Sequence, residues 1–240
     1  MINYAIRTEG LCHQYKDEKV LNNINLTVPE GSIYGFLGPN GAGKTTTLKL
    51  LLGLLKKQAG KIKVDNKDIV TQRIDILKKV GSLIESPSIY SHLTARENLK
   101  VLQKVYRCPN LRISEVIELV GLAETGTKIV GKFSLGMKQR LSMAIALLHE
   151  PSLLILDEPT NGLDPIGIIE TRELLKKLNT EKGITIIISS HILGEIEKLV
   201  THTGIIHKGN LLFQGTLTEL RLRYKDVESL ETIFIELVKS

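Results

Sequence analysis

Gly38-Pro39-Asn40-Gly41-Ala42-Gly43-Lys44-Thr45 has the G-x-x-x-x-G-K-S/T spacing of a phosphate-binding loop. Ile33 to Leu37 precede it as a short apolar run of the buried-strand type, and Thr46-Thr47-Leu48-Lys49-Leu50-Leu51 follows as a good helix start. Strand, glycine loop and helix form the context the spacing requires. The glycines let backbone N–H groups turn inward around phosphate oxygens. Lys44 is suited to reach β- and γ-phosphates and Thr45 to ligate Mg²⁺, while the N-terminus of the following helix adds partial positive charge.

The second landmark is Leu153-Leu154-Ile155-Leu156-Asp157-Glu158-Pro159. Its apolar residues place Asp157 at the carboxyl end of a buried strand, where α/β sheets bind ligands. Asp157 is then suited to hold Mg²⁺, and Glu158 to accept a proton from a water attacking a γ-phosphate. Between and around these landmarks the pattern alternates. Ile24, Leu26 and Val28 alternate with polar residues, Lys61–Asp65 predicts a strand closed by a turn at Asn66-Lys67, and Val80–Ile84 another short strand. From about 87 to 150 the character is helical: Thr94-Ala95-Arg96-Glu97 is a capping box opening a helix to about Tyr106, a second helix covers about 112–120, and a third starts at Ser134. Ser152–Asp157 and Ile184–Ser189 predict doubly buried parallel strands, with helices near 165–180 and 191–200. A hairpin over 203–214 and short helices at 216–224 and 229–238 close the chain. The expected fold class is α/β, with a parallel-sheet nucleotide core (1–86 and 151–215), an N-terminal antiparallel β-subdomain, an inserted helical subdomain (87–150) and C-terminal helices (216–240).

The 240 residues suffice for one packed α/β unit, and the hydrophobic and charged fractions, 42% and 24%, are those of an ordinary globular protein. No apolar run has the roughly 18 residues of a membrane span. Arg7 and Glu9 stand where a signal peptide would be apolar. Cys12 and Cys108 have no metal or redox spacing. The net charge of +6 reads as a solvated basic surface, and the absence of Trp with 4% aromatics argues against base-stacking platforms, so no nucleic-acid partner is expected.

Phe133-Ser134-Leu135-Gly136-Met137-Lys138-Gln139-Arg140 resembles the signature motif of ABC-type ATPases, and lies 157 − 134 = 23 positions before the acidic strand end, the family's usual interval. Asn161-Gly162-Leu163-Asp164 resembles the family's D-loop, His191 its switch histidine, and Tyr15 the aromatic it places under adenine. The chain is thereby identified as a member of the ABC ATPases. The resemblance implies head-to-tail dimers with two ATP molecules, each on one chain's Gly38–Thr46 loop (Pro39, Asn40, Gly41, Ala42, Gly43, Lys44 and Thr45 included) and facing the other's Ser134 and Gly136. It also implies a transmembrane permease partner at the cytoplasmic face of the membrane, docked on the 85–98 loop and helical segment near Ser88, Ile89 and Tyr90.

Two departures stand out. Leu135 and Met137 replace a Gly and a Gln of the common signature, a form similar to that of exporters and self-resistance transporters. Glu85 stands where most of the family has Gln; this resembles the subunits of bacitracin-type and lantibiotic-type peptide exporters. Glu85, Asp157 and Glu158 are expected to surround one Mg²⁺, with Glu85 and His191 joining Glu158 in catalysis. An importer subunit, an iron–sulfur assembly ATPase and a chromosome-handling ATPase are alternatives. The last is disfavoured because residues 46–132 hold no sustained heptads.

Overall fold

A computed structural model describes residues 3–85, 89–224 and 229–239, apart from the side chain of Glu195. In chain order the elements are β1 (Tyr4–Tyr15), β2 (Glu18–Ile24), β3 (Thr27–Pro29), β4 (Ile33–Leu37), α1 (Lys44–Leu51), β5 (Ala59–Val64), β6 (Lys67–Asp68), α2 (Arg73–Leu77) and β7 (Val80–Leu83). The helical stretch holds α3 (Ala95–Tyr106), α4 (Leu111–Leu119) and α5 (Leu135–Leu147). Then come β8 (Leu153–Asp157), α6 (Pro165–Lys182), β9 (Thr185–Ser190), α7 (Leu193–Ile196), β10 (His202–His207), β11 (Asn210–Thr216), α8 (Leu217–Arg223) and α9 (Leu230–Lys239).

Two sheets result. One has the order β11-β10-β4-β9-β8-β7, parallel except for the β10–β11 hairpin. Every residue of β4, β8 and β9 is buried, which is why these strands read as continuous apolar runs. Register sets Leu37 beside Ser190 and Asp157 beside Ser189, so three carboxyl ends form one edge. The other sheet is antiparallel, in the order β2-β1-β5-β6, with β3 also on β1. Its apolar face packs with Tyr34, Phe36, Leu48 and Leu51 into one core. The opposite face of the parallel sheet shares a second core with α3, α4 and α5, through Leu99, Val116, Leu141, Leu154 and Ile186 among others.

Local chemistry explains several boundaries. Thr94 and Glu97 form both bonds of the capping box that starts α3. Asp164 caps α6, with Pro165 in its first turn and left-handed Gly183 at its end. The β5–β6 turn falls on Asp65-Asn66, both at positive φ, rather than on Asn66-Lys67. Helix α1 begins at Lys44 rather than Thr46, because the loop glycine Gly43 serves as its N-cap. The helix expected over 191–200 shrinks to Leu193–Ile196: the Leu199 and Val200 amides both turn back to the Ile196 carbonyl. Ser88 lies outside the described residues.

Candidate nucleotide site

The phosphate loop leaves β4 at Gly38, where a Cβ would run into the Ile206 carbonyl oxygen, so only glycine fits between β4 and β10. At Gly43, with φ of 107°, the chain turns into α1. Helix α1 has no acidic residue in its first turn, which leaves its positive end available to an anion. Lys44 is buried, and its Nζ donates to the carbonyls of Gly38 (2.8 Å) and Pro39 (3.2 Å).

The two acidic residues after β8 have separate partners. Thr45 Oγ1 donates to Asp157 Oδ2 at 2.8 Å, and Ser189 Oγ donates to Asp157 Oδ1 at 2.6 Å. The same Ser189 hydroxyl accepts from the Glu158 backbone N–H at 2.9 Å, so β9 fixes the turn that carries both carboxylates. Glu158 has a φ of 47°, an uncommon conformation for a residue with a Cβ. Its Oε1 faces Lys44 Nζ at 3.2 Å and its Oε2 lies 2.8 Å from His191 Nδ1. A bond there requires Nδ1 to carry the proton. The structure thus brings together Lys44, Thr45, Asp157, Glu158 and His191 on the carboxyl edge of the sheet.

Glu85 does not join them. Its Oε1 accepts from Lys49 Nζ at 2.6 Å, although Glu85 lines the same cavity of about 730 Å³ as Asp157 and Glu158. Among the described residues no group of three His, Cys, Asp or Glu side chains is arranged to hold a metal ion. The expected cluster of three carboxylates is not preformed here: Glu85 is held by Lys49, Asp157 by the Thr45 and Ser189 hydroxyls, and Glu158 by Lys44 and His191, an arrangement that limits repulsion between them.

Tyr15, near the β1–β2 hairpin, is 45% exposed and meets the His13 ring edge-on at 4.8 Å. That hairpin abuts the phosphate loop through Val20 and Leu21, the neighbours a Cβ at Gly43 would meet. Ser134 and Gly136 lie elsewhere. Ser134 caps α5 by accepting from the Met137 N–H at 3.2 Å. With Gly136 and the Asp164–Gly167 start of α6 it lines a second concavity of about 660 Å³, to which the 38–46 loop contributes nothing. Gln139 ties α5 to the acidic turn by donating to the Pro159 carbonyl at 2.9 Å.

Sequence reasoning misses Ser189, Lys49 and Gln139 as parts of this region. The polar ending Ser189-Ser190 of an otherwise apolar strand is the signal for the first; Gln139 lies within the signature octet without a role being read for it, and for Lys49 no local pattern exists.

Comparison with known proteins accords with this geometry. The ABC transporter family model matches residues 21–161. The bacitracin transport ATP-binding protein BcrA of Bacillus licheniformis is 52% identical over 219 residues, 91% of this chain and 72% of that protein. The lantibiotic transport ATP-binding protein SrtF of Streptococcus pyogenes is 43% identical over 95% of each chain. Among solved structures, an ATP-binding subunit of an ABC transporter superposes with a TM-score of 0.87 at 28% identity, covering 98% of this chain and 99% of that one. The dimeric post-hydrolysis state of the ATP-binding cassette MJ0796, bound to ADP and Pi, superposes with a TM-score of 0.80 at 25% identity, covering 88% of this chain and 98% of that one. With its phosphate loop, paired acidic turn and signature helix in one continuous match, the chain belongs to the ABC transporter family, as an ATP-binding, ATP-hydrolysing subunit.

Proposed function

We propose that this subunit powers export of a peptide antibiotic, of the bacitracin or lantibiotic class, through a membrane permease. The 52% identity to the B. licheniformis bacitracin transport subunit is the observation that carries the substrate class. ATP would lie on the 38–46 loop, its phosphates on the loop amides and Lys44 and its adenine on Tyr15. Mg²⁺ fits Thr45 and Asp157, whose oxygens, 2.8 Å apart, are the hard donors it selects. It would neutralise charge on the transferred phosphoryl group.

The chain's own residues account for the remaining steps. Glu158 takes the proton of the attacking water, and His191, bonded to its second oxygen, orients it. Lys44, freed from the Gly38 and Pro39 carbonyls, moves to the phosphates. Ser134 and Gly136, on an exposed helix N-terminus away from the loop, serve the γ-phosphate of a second copy in a head-to-tail dimer. Hydrolysis removes that bridge and releases the dimer, a population shift with a defined differential contact.

Permease docking is supported by exposed apolar surface. Tyr90 is half-exposed, and Leu54, Ile74 and Tyr106 line an open groove of about 390 Å³ beside β7. No helix of the described residues is long and apolar enough to cross a membrane. A permease partner would hold the subunit at the cytoplasmic face.

The test uses the Glu158→Gln form with Mg·ATP as bait on solubilised native membranes. A co-purifying permease is expected; recovery of soluble proteins alone would overturn the transporter assignment. Loss of the gene should increase susceptibility to a bacitracin-like or lantibiotic peptide, and unchanged susceptibility across both classes would overturn the substrate class.

A further inference from the structure

Helix α1 carries a second lysine that no motif claims. Lys49 stands four residues after Thr45, so the two side chains leave one face of the helix a turn apart, about 6 Å along its axis. Its Nζ lies 2.6 Å from Glu85 Oε1, and the two side chains are 25% and 63% exposed. Glu85 adopts a left-handed backbone, with φ of 55°, two residues past the end of β7. Its carboxylate bonds to α1, although Glu85 shares a cavity with Asp157 and Glu158. The other carboxylates there are already matched: Asp157 by the Thr45 and Ser189 hydroxyls, Glu158 by Lys44 and His191. Glu85 is the third negative charge of the cavity, and its bonded partner among the described residues is Lys49.

We propose that Lys49 is a positioning residue that holds the Glu85 carboxylate away from the metal seat of Thr45 and Asp157, so that the affinity of this seat is set by whether Lys49 keeps or releases Glu85. The proposal rests on the metal–ATP reading of the site. A released Glu85 adds an oxygen donor and a negative charge to a seat one helical turn away. The interaction lies near solvent, so the effect is moderate and falls with salt.

Four proteins test it: wild type, Lys49→Met, Glu85→Gln and the double variant, each titrated at low ionic strength with Mn²⁺ alone and followed by electron paramagnetic resonance. Lys49→Met should bind Mn²⁺ about fivefold more tightly than wild type, the factor expected when one charge near the seat loses its counter-ion in a high effective dielectric. The double variant should match Glu85→Gln, and a fifth protein, Lys49→Arg, should keep the wild-type constant. Equal constants in all four proteins, undetectable binding in all included, would overturn the proposal. So would an equal gain from Lys49→Met in the Glu85→Gln background, which would reduce Lys49 to bulk charge. A fluorescent ATP analogue titrated into the same proteins separates the two levels. Normal nucleotide binding with equal Mn²⁺ constants defeats only the Lys49 role, whereas failure of the wild type to bind the analogue defeats the site assignment itself.

Discussion

At the carboxyl edge of the parallel sheet, Lys44, Asp157, Glu158 and His191 are all bonded to one another or to neighbouring hydroxyls and carbonyls. At the N-terminus of α5, Ser134 is exposed, its hydroxyl accepts the local Met137 amide as its bonded partner among the described residues, and the first turn carries no acid. Both regions present helix N-termini suited to phosphate. The first is assembled by three buried strands of one chain; the second projects its donors outward beside a surface concavity. That difference is what a site split between two copies requires: one half holds the chemistry and the other closes over it.

The largest effect should come from breaking the first region. Glu158→Gln keeps shape and ATP binding but removes the proton acceptor, and should lower steady-state turnover by about 10²–10³-fold. Retained turnover would show that another group takes the proton. Packing should separate the regions next. Leu154→Ala, in the fully buried β8, should cost about 3 kcal/mol in urea unfolding, whereas Leu135→Ala at the exposed signature end should cost less than about 0.5 kcal/mol. Equal losses would mean that the signature end is part of the core.

Gly81→Ala probes the joint between them, since a Cβ there collides with the Ala146 carbonyl of α5. A loss of about 2 kcal/mol is expected. Gly136→Ala is the counterpart. Its Cβ would meet Leu163 Cδ2 at 3.6 Å, an ordinary contact, so thermal stability should hold while ATP-dependent association weakens.

The smallest effect concerns acid. Burial holds the His149 imidazole below its ordinary pKa, against a weaker opposing hydrogen bond to the Val80 carbonyl. The unfolded chain therefore binds this proton more readily. The stability it contributes is present above about pH 6.5 and is lost as pH falls through the lower folded value. His149→Gln should show a slightly smaller drop in Tm between pH 7.5 and pH 5.5 than wild type; an equal drop would remove His149 from the acid response.

What could be read in the sequence was local. The Gly38–Thr45 loop, the apolar runs of β4, β8 and β9, and the Thr94 capping box each announce themselves within a few residues, because backbone geometry and burial dictate their residue types. Strand β1 is harder to see, since register shifts between Leu11 and His13 and again before Gln14 break its alternation. The pairings Ser189–Asp157 and Lys49–Glu85 bridge 32 and 36 residues and exist only once the sheet has formed. Glu85 is visible in sequence as an added charge; the lysine that answers it is not.

The division of the site between two copies is tested most directly by sedimentation of the Glu158→Gln protein with and without Mg·ATP. A shift from monomer to dimer on ATP binding, abolished by Gly136→Arg, is the predicted result. A monomer that persists at full ATP occupancy would contradict it.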